Sequence, residues 1–479
     1  MSSSQTSDVA DMPHHLVTMI ESNLEEEQYD GALDLLDQLR SPNYRPPPAQ
    51  IRQLVYMSLI PVDKKQTEQL SSASPTKTAR RIKAPALPPA EAIYRARRLL
   101  SSFSVTNTPE QLFDALPGYH TSTSMSALDE DDIYSMIGKA ALSILECKDC
   151  WSFLVEDFTN RRLSAFASPK KGKGRRASTR YVVEADELGH HDPDESPKFV
   201  GRESWDVLEW LVDLLERDQG AAQHTGSPPF APLLLTQIPP PKANGMTRWE
   251  TDAPLNIVFY CLDQAEDRRV RVGLRLMTLL ANLAAAGQID GGIFTSAVVS
   301  RLAAKPATLF SRLFAGLPAT TSVARFKVAL CRNLLAGSRQ ANRGPRPKPQ
   351  ARARPRTSNV SRAAAANAEP PKPEGESTIP RAEPLPLPEL SELLQLVERT
   401  TYDKQILSDL DAYCRVKFEL LSSYAYLQGP GSTTGDGDTP WALATADGSV
   451  RKAVDAAFGR GETGRPYREG LSYLLRLDS

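Results

Sequence analysis

Apolar residues recur at steps of three and four along most of the chain, the period of a helix that buries one face. The longest stretch with this period, free of low-complexity sequence, runs from Pro254 to Gly337. Leu255, Val258, Tyr260 and Leu262 open it. Val270, Leu274, Met277, Leu280, Ala281 and Leu283 form a second stripe, and Gly287 stands where a left-handed cap ends a helix at no steric cost. Asp290 is placed to cap a third helix carrying Ile293, Phe294, Val298, Val299 and Leu302. Pro306 interrupts the pattern; Leu309, Phe310, Leu313 and Phe314 resume it; Leu317-Pro318 stops it. Thr321 or Ser322 is placed to cap a fifth helix that holds Val323, Phe326, Val328, Leu330, Cys331 and Leu335 and ends at Gly337. Nothing here alternates as a strand does, and the stretch reads as the core from which the rest hangs.

The same reading divides the chain into blocks. Residues 1–60 form an N-terminal hairpin region: one stripe of Leu16, Met19, Ile20 and Leu24, another of Tyr29, Ala32, Leu33, Leu35, Leu36 and Leu39, then a helix from Ala49 to Ile60. Residues 61–89 are a polar, basic linker. Residues 90–167 are helical, with segments at Ala90–Phe103, Pro109–Leu116 and Asp129–Phe166, the last broken near Asp149. A charged linker follows at 168–200. The central block 201–337 begins with an amphipathic helix, Ser204–Arg217, whose apolar side carries Trp205, Leu208, Leu211, Val212 and Leu215. Asp206, Glu209, Asp213 and Glu216 lie away from that side, and a proline-rich loop at 220–253 interrupts the block. Residues 338–388 are an Arg- and Pro-rich linker, and 389–479 a C-terminal helical region of one or two longer helices and a tail of small ones. With 38 prolines clustered between periodic segments, the linkers read as disordered.

The expected fold class is therefore all-α: stacked helical hairpins in the manner of an α-solenoid, interrupted by disordered linkers. Glu26–Leu39, EEQYDGALDLLDQL, resembles the second half of a tetratricopeptide-like repeat, where an aromatic and a small residue let two helices approach. The resemblance covers about one hairpin. No self-similarity at the 34-residue period of such repeats extends it into an array.

Composition narrows the setting. The 57 basic and 58 acidic residues nearly cancel, so whole-chain charge points to no partner class. Five scattered cysteines do not make a disulfide framework and fit a reducing compartment. The first residues lack the basic and apolar regions of a secretory signal, and no apolar run is long enough to cross a membrane. Cys147 and Cys150 form a C-x-x-C, but inside a helical pattern rather than at a strand-to-helix junction. The nearest further metal ligands, His190 and His191, lie some forty residues on. Two ordinary thiols are the better reading. The glycines of FGRGETGRP, from Phe458, follow no strand and precede no lysine, so they read as a turn rather than a phosphate loop. G-x-S-x-G, H-E-x-x-H and H-R-D do not occur. The expectation is a non-enzymatic protein with no cofactor and no metal.

Local charge is the functional signal. Lys170, Lys171, Lys173, Arg175 and Arg176 form a compact cluster like a nuclear import signal, which lays several cations along an acidic receptor groove. Arg80, Arg81 and Lys83 make a smaller one. Ser74 and Ser168 begin S-P-x-K sequences that resemble targets of proline-directed kinases; Ser178, in RRAS, resembles a basophilic target, as does Ser164. Phosphate on Ser168 or Ser178 adds nearly two negative charges beside the lysines. Arg343, Arg346, Lys348, Arg352, Arg354 and Arg356 occupy a proline-extended segment suited to a phosphate backbone, without aromatics for base stacking. It reads equally as a spacer.

These features imply a nuclear scaffold that binds other proteins through helical grooves and shuttles with the cytoplasm. Chromatin, in genome maintenance or transcription, is the first setting; RNA processing or ribosome assembly is the second. An enzyme without a legible motif is a third reading.

Overall fold

The computed structural model describes residues 10–62, 87–119, 135–159, 198–222, 230–241, 250–303, 305–337, 385–400, 407, 409–429, 440–459 and 461–475. The described residues are mostly helical; their only strands are β1 (Ala10–Asp11) and β2 (Tyr44–Arg45), a two-residue parallel pair. The all-α expectation holds. Two compact units divide the chain: Met1–Lys242, Arg248–Ile289 and Arg312–Val323 form one, and Ala243–Thr247, Asp290–Ser311 and Ala324–Ser479 the other. Residues of the Pro254–Gly337 stretch occur in both.

The first unit begins with α1 (His14–Glu25) and α2 (Tyr29–Leu39), which pack on each other as the hairpin the two stripes predict. Gly31 on α2 lets them close: a methyl there would stand 3.1 Å from Asn23 Oδ1. Next comes α3 (Pro48–Ser58), buried on every side from Gln50 to Ser58. A helix buried all round belongs at a centre, and α3 touches α4 (Ala90–Thr106), α6 (Met136–Leu145) and α7 (Trp205–Ala222). Its polar residues are accommodated inside: Gln50 and Gln53 donate to Glu21 Oε1 at 3.1 and 2.6 Å. Burial raises the Glu21 carboxyl above its ordinary range, and the bonds from Gln53, Ser135 and Gln50 pull against that rise.

Between α4 and α6 lies α5 (Pro109–Phe113), started by a reciprocal capping box of Thr108 and Gln111. The helical region expected over Asp129–Phe166, with a break near Asp149, has its helix end at Leu145. Asp149 turns the chain by accepting the Ser152 amide and hydroxyl at 3.0 and 2.7 Å, so Trp151, Phe153 and Leu154 reach the core from turns, not from a helix. The proline-rich 220–253 region holds a short helix, α8 (Pro232–Thr236), whose first turn starts on a proline.

The α9 (Asp252–Leu262) and α10 (Asp267–Ala285) helices pair closely. Gly287, at φ +68°, ends α10: its amide donates to Ala284 O at 3.1 Å, and Gln288 N–H to Leu283 O at 3.0 Å, the two bonds of a Schellman cap.

In the second unit α11 (Gly291–Leu302) starts from Asp290, whose carboxylate accepts the Ile293 amide at 2.8 Å. Two helices follow in the chain, α12 (Ala307–Gly316) and α13 (Thr321–Ala336); the stretch Arg312–Val323, the end of one and the start of the other, belongs to the first unit. The cap of α13 is Thr320, one residue before the two expected, because its Oγ1 lies 3.3 Å from the third helical amide, Val323. The C-terminal part comprises α14 (Leu390–Glu398), α15 (Leu410–Gln428), α16 (Pro440–Ala446), α17 (Ser449–Phe458) and α18 (Arg465–Leu475). Helix α14 packs on α17, and α15 on α18. The FGRGETGRP segment joins α17 to α18, with Gly459 at φ +58°. No helix among the described residues is long and apolar enough to cross a membrane.

A candidate protein-interaction groove

Helix α4 runs beside α7 in the first unit, and α7 beside α10. Helix α7 faces α4 and the core with Val207, Leu208, Trp210, Leu211 and Leu214, all buried. Its acidic residues Asp206, Glu209, Asp213 and Glu216 fall three and four residues apart on the other side. They stay partly exposed, but each meets an arginine of α10. On α10, Arg268 donates from Nε to Glu209 at 2.8 Å and from Nη2 to Asp206 at 3.2 Å. One helical repeat on, Arg275 donates to Asp213 at 2.5 Å and from Nε to Glu216 at 2.9 Å. The seven-residue step between the arginines matches the seven-residue step between Asp206 and Asp213, so the two helices mesh charge by charge. The bond to Glu209 holds the Arg268 guanidinium protonated more firmly than usual, and the bond to Glu216 does the same for Arg275.

A third arginine ties in α4. Arg97 donates to Ser58 O at 2.9 Å, to Glu203 at 2.9 Å and to Asp206 at 3.4 Å, and its guanidinium lies 5.7 Å from the centre of the Tyr94 ring. Trp210 is fixed beside it, its indole N–H donating to Leu100 O at 3.1 Å. Each exposed pair is worth only about 0.2–1 kcal/mol. The effect of the network is geometric: long side chains that would wander are held in place.

Between α4 and α7 these contacts leave an open groove of about 500 Å³. Leu100, Val207 and Trp210 contribute its apolar part. Tyr94, half exposed, and Ser101 line it from α4; Asp206, Glu209, Asp213 and Arg268 line it from the opposite side. Arg98 lines it too, exposed and without an ion pair among the described residues. Across α4, Arg98 also lines a smaller recess of about 260 Å³ against α2, where Leu33, Leu99 and Asp37 meet it. Arg95 is held there by Asp30, at 3.1 Å, and by Asp34. The α4 crest thus carries Tyr94 and Arg98 between two concavities. Such a surface can accept an apolar side chain and orient charged groups on either side of it.

The thiols of the C-x-x-C are placed by ordinary contacts. Cys150 is buried, which pushes its thiol well above the usual range, and its amide donates to Gln237 at 2.8 Å. Cys147 lies 3.6 Å from Ser143 O. Among the described residues no group of three or more His, Cys, Asp or Glu is placed to hold a metal ion.

The basic cluster Lys170, Lys171, Lys173, Arg175 and Arg176 lies outside the described residues, as do Ser74, Ser168 and Ser178 and the arginine-rich set Arg343, Arg346, Lys348, Arg352, Arg354 and Arg356. None of the groove residues was singled out by motif. The spacing of the α7 acids was legible, but its counterpart, arginine at Arg268 and Arg275, becomes meaningful only once α10 is laid against α7.

The described residues of the second unit include a buried cation that no motif marks. Lys417 on α15 is fully buried, and its ammonium donates to Arg399 O at 2.6 Å and Ala457 O at 3.0 Å, over the face of Tyr413. It serves the carbonyl ends of α14 and α17, where helix dipoles favour positive charge. Burial lowers its pKa to about 8.

Comparison of the chain with protein-family models, with curated proteins and with solved structures finds no match in any of the three.

Proposed function

We propose that the chain is a non-enzymatic nuclear scaffold that holds partner proteins against its helices, in chromatin-associated work such as genome maintenance or transcription. The observation that carries this reading is the groove between α4 and α7: apolar in part, edged with charges that are fixed by their own pairs, and flanked by Arg98, which has no ion pair among the described residues. Side chains already ordered cost less entropy to engage, which is what a binding surface requires. The finer architecture belongs to the same proposal: hairpins such as α1–α2 and α9–α10 stack in solenoid fashion, and the groove runs along the stack. The basic segment at Lys170–Arg176 supplies import, and phosphorylation at Ser74, Ser168 or Ser178 tunes it.

A second reading, an RNA-processing or ribosome-assembly factor of the same architecture, draws on the Arg343–Arg356 segment, whose cations suit a phosphate backbone.

Affinity purification of the full chain under nuclease treatment, compared with a Tyr94→Ala/Arg98→Glu variant, tests the groove. Both side chains are exposed, so the variant keeps its melting profile. The proposal expects a discrete set of nuclease-resistant partners that the variant loses at least tenfold. Partners retained unchanged by the variant exclude the groove, and partners that vanish with nuclease favour the second reading.

A further inference from the structure

We draw no further inference here: the strongest candidate, the side-chain cluster of Glu21, Gln50, Gln53 and Ser135 joining α1, α3 and the start of α6, holds one carboxylate that already accepts three hydrogen bonds, and nothing in the structure shows its two unpartnered glutamine oxygens converging on a space for a ligand.

Discussion

Asp218 near the end of α7 is 3 % exposed, and its carboxylate accepts the Leu233 amide at 2.7 Å, holding the start of α8. Burial outweighs that bond and raises its pKa to about 6. An unfolded aspartate titrates near 4. Between those two values the folded chain keeps a proton that the unfolded chain has released, so stability falls as pH rises through the window and the penalty is complete above it. Two pH units correspond to about 3 kcal/mol at most. Asp218→Asn retains an oxygen for Leu233 and removes the charge. The expected outcome is a variant about 1–3 kcal/mol more stable than the parent at pH 7.5, with a flatter dependence between pH 4 and 6. Denaturant unfolding across that range checks it; a destabilised variant with the parent's slope would refute it. Neither Asp218 nor Lys417 can be read from sequence as buried, because a charge inside a helical stripe looks like any surface charge until its neighbours are known. Gly287 and Asp290 were legible because a helix end needs a left-handed residue or a side-chain acceptor within a residue or two of itself. The Thr320 cap shows the limit of that locality: three consecutive hydroxyl residues, Thr320, Thr321 and Ser322, offer the same chemistry, and only the backbone chooses.

Helix pairing adds constraints of its own. On α10, Gly273 faces α9 so closely that a Cβ would lie 2.5 Å from Cys261 Cβ and 3.1 Å from Val258 O. Gly220 on α7 has nothing within 4 Å of the same position. Alanine is the better helix former by about 1 kcal/mol in both places. At Gly220 that gain stands alone, so Gly220→Ala stabilises by about 0.5–1 kcal/mol. At Gly273 the methyl forces α9 and α10 apart, and overpacking of this kind costs about 1–3 kcal/mol, more than the propensity gain. Opposite shifts in the unfolding midpoint are therefore expected; shifts of the same sign would mean that the α9–α10 spacing yields to the methyl. The 3.6-residue period revealed nearly every helix of the described residues. It misassigned Trp151 and Leu154, since three-residue spacing also arises in successive turns that face a core. It missed α8, a five-residue helix inside a proline-rich stretch that reads as loop; α5 is as short, but Thr108 and Pro109 mark its start. Beyond the α1–α2 hairpin, which helix faces which was not legible, since an apolar stripe specifies that a partner exists without specifying it.

At the scale of the molecule, two helical units carry the described structure, while the candidate import and phosphorylation sites lie in the segments between periodic blocks. Cations in such a segment have no apolar face to bury, so their removal leaves the cores intact. Changing Lys170, Lys171, Arg175 and Arg176 to alanine is expected to move a fluorescent fusion from nucleus to cytoplasm with an unchanged melting profile. A parent protein excluded from nuclei would end the nuclear reading. A variant that stays nuclear would transfer import to Arg80, Arg81 and Lys83 or to the Arg343–Arg356 segment. The fold class was legible because helical periodicity is local. The groove was not, because it is assembled from α4, α7 and α10: Trp210 lies 110 positions from Leu100, and Arg268 lies 59 from Glu209.

The central claim is that a partner protein occupies that groove. Site-specific photo-crosslinking from Tyr94 in cells tests it most directly, with the exposed Glu25 on α1 as the control position. A scaffold using the groove gives discrete protein adducts from Tyr94 that resist nuclease, are absent from position 25, and disappear when Arg98 is changed to glutamate. Equal adducts from both positions, or none from Tyr94, would contradict the account.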